Sequence, residues 1–278
     1  MFSNVSIANK IGNWCDRTWL TIKANPTQTI LITLVSIITI LAWGLLWLYS
    51  ISPYGGYLHN PREFGLITNS VILNITLAVI FHTTVWLLMC IAMMLPTTLP
   101  LLIVWQRLIS NHSNHRLLQG LVVGGYLSVW TVFGFLLYIA DKILHQLILV
   151  TPWFNNNYWI LGSFTLGLVS LFQFTPIKNY CLQKCGSPLN LAVKAWHKGD
   201  LIYQSWWLGV SHGIFCVGCC WTLMLLMFVV GMGNLGWMLL LTSIMVIEKN
   251  FSWGQRLRIP LGVTFLIGTL IVVVVNIP

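Results

Sequence analysis

The chain has 278 residues, of which 57% are hydrophobic and 7% are charged. Soluble domains carry about 25% charged residues, so this composition excludes an ordinary soluble protein and predicts an integral membrane protein. The formal net charge is +9, but the basic residues are spread over short segments between apolar runs. That distribution is typical of a membrane-orientation signal and argues against a nucleic-acid partner.

Residues 1–26 precede the first apolar run and are predicted to form an amphipathic cytoplasmic segment. Five residues recur there at helical spacing: Ile7, Ile11, Trp14, Thr18 and Ile22. A helix with such a face lies on a membrane surface. The remainder, residues 27–278, is predicted to be a single transmembrane helical domain. Its first apolar run is expected to be a retained anchor, because no small-residue cleavage site follows a short apolar core.

Seven apolar runs qualify as membrane-spanning helices, since about 20 residues cross the roughly 30 Å hydrocarbon core. They are Thr27–Tyr49, Val71–Leu95, Leu117–Ala140, Tyr158–Phe174, Ser205–Val230, Asn234–Ile247 and Ile259–Ile277. The sixth is short, and a tight turn at Gly231–Gly233 joins it to the fifth. The predicted fold is therefore all-α: a polytopic helical membrane protein with about seven transmembrane helices.

The second apolar run continues through Pro96 and Pro100 to Trp105, which is too long for one straight span. Each proline removes a backbone donor and frees a carbonyl that lipid cannot satisfy. We therefore predict that the second helix is kinked or broken at Pro96–Pro100, and that this stretch faces protein.

Basic residues are distributed unequally between the two sides that seven spans define. Of the 14 lysines and arginines, only Arg62 and Lys142 fall on the side away from the N-terminus. The positive-inside rule then places the N-terminus in the cytoplasm and the C-terminus outside.

The fifth apolar run contains four side chains of metal-ligand type. His212, Cys216, Cys219 and Cys220 fall within an arc of about 100° on one helical face. Thiolate and imidazole groups bind soft metals well, so the pattern predicts a metal site in the membrane. The alternative is that the cysteines are small buried residues that only pack.

A face of the second span offers further donors. His82, Met89 and Met93 recur on one side of that helix and could complete the ligand shell. The alternatives are that the methionines fill core space and that His82 is a satisfied core histidine. If the two faces meet, the pocket lies near mid-membrane.

Charge restricts the identity of the metal. Cu(I) with one thiolate and Zn(II) with two thiolates are both neutral, which avoids burying net charge in hydrocarbon. Thioether-rich surroundings favour Cu(I). Zinc and a haem held by His82 and His212 are the alternatives; an iron–sulfur cluster usually needs four cysteines.

Cys181 and Cys185 form a second pair, one helical turn apart at the predicted cytoplasmic end of the fourth span. Lys178 and Lys184 flank the pair and would favour thiolates, so it is a candidate for a second metal or redox site. The alternative is that these are loop thiols kept reduced by the cytosol.

Enzymatic signatures are sparse. The five acidic residues fall in predicted loops or at segment ends, so no embedded pair is expected to relay protons. The seventh span contains no lysine for a retinal Schiff base, and no nucleotide-binding or catalytic-triad motif occurs. A non-enzymatic protein is favoured.

Four ordered motifs resemble those of one family. Met93–Pro100 resembles AMMLPTALP, Thr175–Leu189 resembles TPLKxxCLxxCxxPL, His212–Met224 resembles HGxxCxGCCWxLM, and Glu248–Lys249 resembles a closing EK. The family comprises uncharacterised, predicted metal-binding integral membrane proteins of bacteria and archaea (domain of unknown function 2182). The resemblance covers roughly Trp86 to Leu261 and implies metal binding in a prokaryotic cytoplasmic (inner) membrane. Gly186 and Gly233 depart from the family pattern, where a basic residue and a methionine are expected.

Together these features predict an integral membrane protein that binds a soft metal, with Cu(I) favoured. Its expected role is copper handling, or assembly of a membrane copper or electron-transfer complex as an accessory subunit. Expected partners are the lipid bilayer, other subunits of such a complex, or a copper donor or acceptor protein. The alternatives are a thiol or quinone oxidoreductase and a purely structural subunit; metal analysis with thiol titration distinguishes the three.

Overall fold

The computed structural model describes residues 26–51, 71–150, 158–196, 199–230, 234–251 and 253–276. Ten α-helices occur in these ranges: α1 (Pro26–Ile51), α2 (Val71–Met93), α3 (Leu99–Ile109), α4 (His115–Val150), α5 (Tyr158–Phe174), α6 (Pro176–Cys185), α7 (Pro188–Ala195), α8 (Leu201–Val230), α9 (Leu235–Asn250) and α10 (Arg258–Asn276). The described residues contain no strand, so the all-α prediction is confirmed there. The predicted N-terminal amphipathic helix and the turn at Gly231–Gly233 lie outside the described residues.

The long helices have the length and composition of membrane spans. Five helical stretches qualify individually: α1, α2, α4, α8 and the stretch that ends with α10. A sixth span is added if α5 and α6, which meet at a bend of 69°, are taken together. Their outward faces are apolar, as in α1, where Ile40 and Leu48 are largely exposed. α9 has 16 residues, about 24 Å of helix, which is less than the hydrocarbon core. The number of seven spans therefore stays a prediction.

The second apolar run is broken where the two prolines predict it. α2 ends at Met93, a 3₁₀ helix covers Leu95–Thr98, and α3 begins at Leu99. Pro96 cannot donate to the carbonyl four residues earlier, that of Ala92. The Trp43 indole of α1 donates to that oxygen instead, at 3.1 Å. Protein groups thus satisfy the freed backbone, and the break lies inside the fold.

Glycines allow α8 to pack closely against α4. A Cβ on Gly209 would stand 2.1 Å from the Val122 carbonyl oxygen, and one on Gly125 would stand 2.4 Å from the Trp206 carbonyl oxygen. Close backbone approach through small residues is a common way for membrane helices to associate. This packing determines which residues of α8 face the rest of the protein.

The buried side chains form two clusters. The larger one surrounds the middle of α8 and contains Cys216, Cys219 and Cys220 together with residues of α2, α5, α6 and α9. The second joins α3 and α7 to the first halves of α4 and α8. The break between α2 and α3 lies where the two clusters meet, because Met94 belongs to the first and Leu95 to the second.

Candidate metal centre

Four buried cysteines from two helices lie together and are called the thiol cluster below: Cys185, Cys216, Cys219 and Cys220. Cys185 ends α6 and is buried in the same core cluster as Cys216 and Cys219 of α8. The Sγ atoms of Cys219 and Cys220 are 3.3 Å apart. The structure thus places Cys185 with the cysteines of α8, although the sequence assigned it to a separate second site.

The ends of α6 and α9 approach each other because Gly186 lacks a side chain. A Cβ at Gly186 would stand 3.2 Å from the Lys249 carbonyl oxygen. α6 also begins at a defined point, since the Thr175 hydroxyl caps the helix by accepting a hydrogen bond from the Lys178 backbone N–H. These local features place the last residue of α6, Cys185, beside the last turn of α9. The family departure at Gly186 therefore has a packing role.

Lys249 of α9 directs its ammonium group at the thiol cluster. Its Nζ lies 2.9 Å from the Cys216 Sγ. It also lies 3.4 Å from the Thr97 hydroxyl and 3.5 Å from the Met94 sulfur, both at the break after α2. The basic residues were predicted to lie in short segments between apolar runs, but the structure buries Lys249 at the end of α9. The sequence feature that could have indicated a buried Lys249 is the Glu248-Lys249 motif at the end of an apolar run.

His212 lies one turn before Cys216 in α8 and is also buried. Neither of its ring nitrogens has a hydrogen-bond partner among the described residues. Its side chain lines a cavity of about 20 Å³ together with Cys185, Lys249 and Thr97. That volume holds about one water molecule or one metal ion. A buried imidazole without a partner is costly, so a ligand in this cavity would satisfy it.

Tyr126 of α4 closes another side of the site. Its hydroxyl lies 3.0 Å from the Cys216 Sγ, and either atom could donate. The same hydroxyl donates to the Met94 carbonyl oxygen at 3.5 Å. Because Tyr126 is buried and its ring stands 5.6 Å from that of His212, it separates the site from the outer surface of α4.

Of the three metal donors predicted on α2, two lie in the core with the thiols and the third lies away from them. Met89 and Met93 are buried in the core cluster that contains the thiols. His82 packs against Tyr138, with ring centroids 4.9 Å apart. It precedes Met94 by twelve residues, about 18 Å along a helix, so His82 cannot complete a ligand shell with Cys216. Met94, which the sequence analysis did not single out, is the thioether beside Lys249.

Three helix ends determine where the thiol cluster lies along the helices. Met94 follows the end of α2, Cys185 ends α6, and Lys249 is in the last turn of α9. Three helix ends therefore meet the middle of α8 at the thiol cluster. The cluster therefore lies at the ends of α2, α6 and α9 and beside the middle of α8, and its depth in the membrane stays a prediction.

A buried ion pair connects α6 and α9 next to the thiol cluster. The Lys178 Nζ lies 2.8 and 3.0 Å from the two carboxylate oxygens of Glu248, and it also donates to the Gln173 side chain. The two charged side chains are 0% and 1% exposed. Glu248 lies at a segment end, as the sequence predicts, but it is buried there. Lys178 is paired with Glu248 and is not directed at Cys181. The predicted stabilisation of a Cys181 thiolate by Lys178 is therefore not seen.

Cys181, one turn before Cys185, is half-buried against α8. A Cβ on Gly218 would stand 2.8 Å from the Cys181 Sγ, so the absence of a side chain there accommodates the thiol. Cys181 thus lies between the outer surface of α6 and the buried thiol cluster.

The chemistry of the cluster suits a soft ion of low coordination number. In the part of the chain that the structure describes, no three His, Cys, Asp or Glu side chains are already arranged to hold a metal ion. Cu(I), unlike structural zinc with four ligands, accepts two sulfur ligands. Cys185 and Cys216, which are buried in one cluster, can supply them, with His212 available as a further donor.

Comparison with known proteins relates the chain to copper. No curated protein and no solved structure matches it. The model of a family described as copper chaperones, PpoB2, matches residues 83–272, which include α3 to α9 and the whole thiol cluster. On that match, the chain belongs to the PpoB2 copper chaperone family.

Proposed function

We propose that this protein is an integral membrane copper chaperone that carries Cu(I) as its cargo in the thiol cluster. The observation that carries the proposal is the burial of thiols from α6 and α8 in one cluster, next to a cavity of single-ion size that Cys185, His212 and Lys249 line. The ring nitrogens of His212 have no hydrogen-bond partner among the described residues. Membership of a copper chaperone family supports copper as the metal.

Cys185 and Cys216 are the proposed principal ligands. Both are buried in the same core cluster. Lys249 connects them, because it lines the same cavity as Cys185 and its Nζ lies 2.9 Å from the Cys216 Sγ. His212, Cys219 and Cys220 are further donors that can exchange with them during loading and release. Met94 supplies a neutral soft donor at the edge of the site. Two sulfurs and these neighbours favour Cu(I) over zinc.

Cys181 is the proposed entry thiol. It lies on the partly exposed side of α6, one turn from Cys185, and contacts α8 at Gly218. Cu(I) moves between thiolates by forming a new Cu–S bond before the old one breaks, so a thiol at this position can pass the ion inward. With the predicted orientation, entry is from the cytoplasmic side of a prokaryotic inner membrane. A copper donor or acceptor protein, or a subunit of a copper complex, is the proposed partner.

Metal analysis of the purified protein tests the proposal. The full chain is purified in detergent under anaerobic, reducing conditions, supplied with Cu(I), and analysed for bound metal and free thiols. The wild type is expected to hold Cu(I) stoichiometrically. The double variant Cys216→Ser/Cys219→Ser is expected to lose it while remaining folded, because the change in size is small. Cys15→Ser is the matched control, since Cys15 lies in the N-terminal segment that precedes the first apolar run.

Two outcomes contradict the proposal. A wild type that binds no Cu(I) would leave the cysteines as packing residues of a structural subunit. A double variant that keeps stoichiometric copper would place the metal elsewhere. Loss of two free thiols on mild oxidation, without any bound metal, would instead favour a thiol oxidoreductase, since the thiol cluster brings four cysteines together.

A further inference from the structure

We infer that Lys249 makes the thiol cluster selective for a monovalent metal ion over a divalent one. The inference rests on the proposed function and adds to it the residue that determines which charge the site accepts.

The Lys249 ammonium group has no carboxylate among its hydrogen-bond partners in the described structure. Those partners are the Cys216 sulfur at 2.9 Å, the Thr97 hydroxyl at 3.4 Å and the Met94 sulfur at 3.5 Å. The neighbouring carboxylate, Glu248, is paired with Lys178 from α6. The charge of Lys249 is therefore directed at the thiol cluster.

Charge balance then distinguishes the metals. Two thiolates, Cys185 and Cys216, carry two negative charges; Lys249 offsets one, and a monovalent metal ion offsets the other. A divalent ion bound to the same pair leaves the buried site with a net positive charge. Net charge away from water is unfavourable, and attraction or repulsion between unit charges is strong there. The site is thus neutral with Cu(I) and charged with Zn(II).

Replacing Lys249 by a neutral residue of similar length reverses this preference. In Lys249→Met, two thiolates with Zn(II) are neutral, whereas two thiolates with Cu(I) are negative. The ratio of Cu(I) affinity to Zn(II) affinity is expected to fall on the order of a hundredfold, from the loss of one unit charge about 4 Å from the metal. Lys249→Arg keeps the charge and is expected to keep the preference.

The experiment measures both affinities by competition with chromogenic Cu(I) and Zn(II) chelators, on anaerobically purified full-length protein. Thr97→Asp is the second variant, because it neutralises the ammonium group in place and does not remove the lysine. It is expected to shift the ratio in the same direction. Lys194→Met is the matched control, since Lys194 is an exposed lysine of α7.

The outcomes separate the two proposals. If the wild type binds no Cu(I), the proposed function fails and the inference fails with it. If the wild type binds Cu(I) but Lys249→Met has the same Cu(I)-to-Zn(II) affinity ratio as the wild type, only the selectivity inference is overturned. Should Lys249→Met not fold, the same comparison is made with Thr97→Asp. The selectivity inference is supported if the affinity ratio falls in Lys249→Met but stays at the wild-type value in Lys249→Arg and Lys194→Met.

Discussion

Removing one partner of the ion pair between Lys178 and Glu248 is expected to destabilise the protein strongly. The pair is almost fully buried, with Nζ–oxygen distances of 2.8 and 3.0 Å. In Glu248→Gln, the ammonium group of Lys178 remains buried without its counter-charge. Breaking such a pair on one side costs about 3–5 kcal/mol, whereas replacing both partners with apolar residues is often neutral. The double variant Lys178→Met/Glu248→Leu is therefore expected to regain most of the loss.

The structure also supplies the assay. The cysteines of the thiol cluster are buried, so a thiol-reactive fluorescent dye reports unfolding as detergent-solubilised protein is heated. A loss of this size corresponds to a midpoint lower by on the order of 10 °C. Because the pair joins α6 to α9, Glu248→Gln is also expected to weaken Cu(I) binding through Cys185. Lys194→Met, at an exposed lysine, is the control and is expected to leave the midpoint unchanged.

Two results would refute this reasoning. One is a Glu248→Gln midpoint equal to that of Lys194→Met, which would mean that the pair contributes nothing measurable. The other is a double variant as unstable as the single one. In that case the loss comes from altered packing between α6 and α9 and not from an unpaired buried charge.

Three further predictions concern the backbone and the topology. Trp43→Phe is expected to cost about 1–3 kcal/mol in unfolding free energy, because the Ala92 carbonyl loses its donor. The control is Trp47→Phe, at an exposed tryptophan of the same helix, which should cost little. Equal unfolding midpoints for the two variants would contradict the prediction. Gly209→Ala is expected to lower the unfolding midpoint, since its Cβ would stand 2.1 Å from a backbone oxygen of α4, whereas Gly120→Ala meets nothing within 4 Å and is the control. A C-terminal reporter active only in the cytoplasm is expected to be silent, and activity would mean that a span has been miscounted.

The site illustrates how far sequence patterns reach. The spacing of His212, Cys216, Cys219 and Cys220 predicted a shared face of one helix, and the structure buries all four in α8. No local pattern, however, relates Cys185 to that face, since the two lie on separate helices. Their contact depends on the bend between α5 and α6 and on the space left by Gly186.

Sequence by itself determined the composition class, most helix bounds and the break at Pro96–Pro100. These properties are local, because apolar run length and missing backbone donors act within a few residues of chain. α5, for example, has the bounds that the apolar run predicts. The basic-residue asymmetry likewise predicts an orientation without any knowledge of packing.

Only the tertiary structure decided which chemical groups surround the thiols. Lys249 reaches both Cys216 and Met94, His82 packs elsewhere, and Lys178 is paired with Glu248. The register between helices depends on side-chain volumes and on glycines at the points of contact, and a shift of one helical turn moves a group by about 5.4 Å. Periodicity within a single helix contains no information on that register, so the identity of the groups around the metal centre had to come from the packed fold.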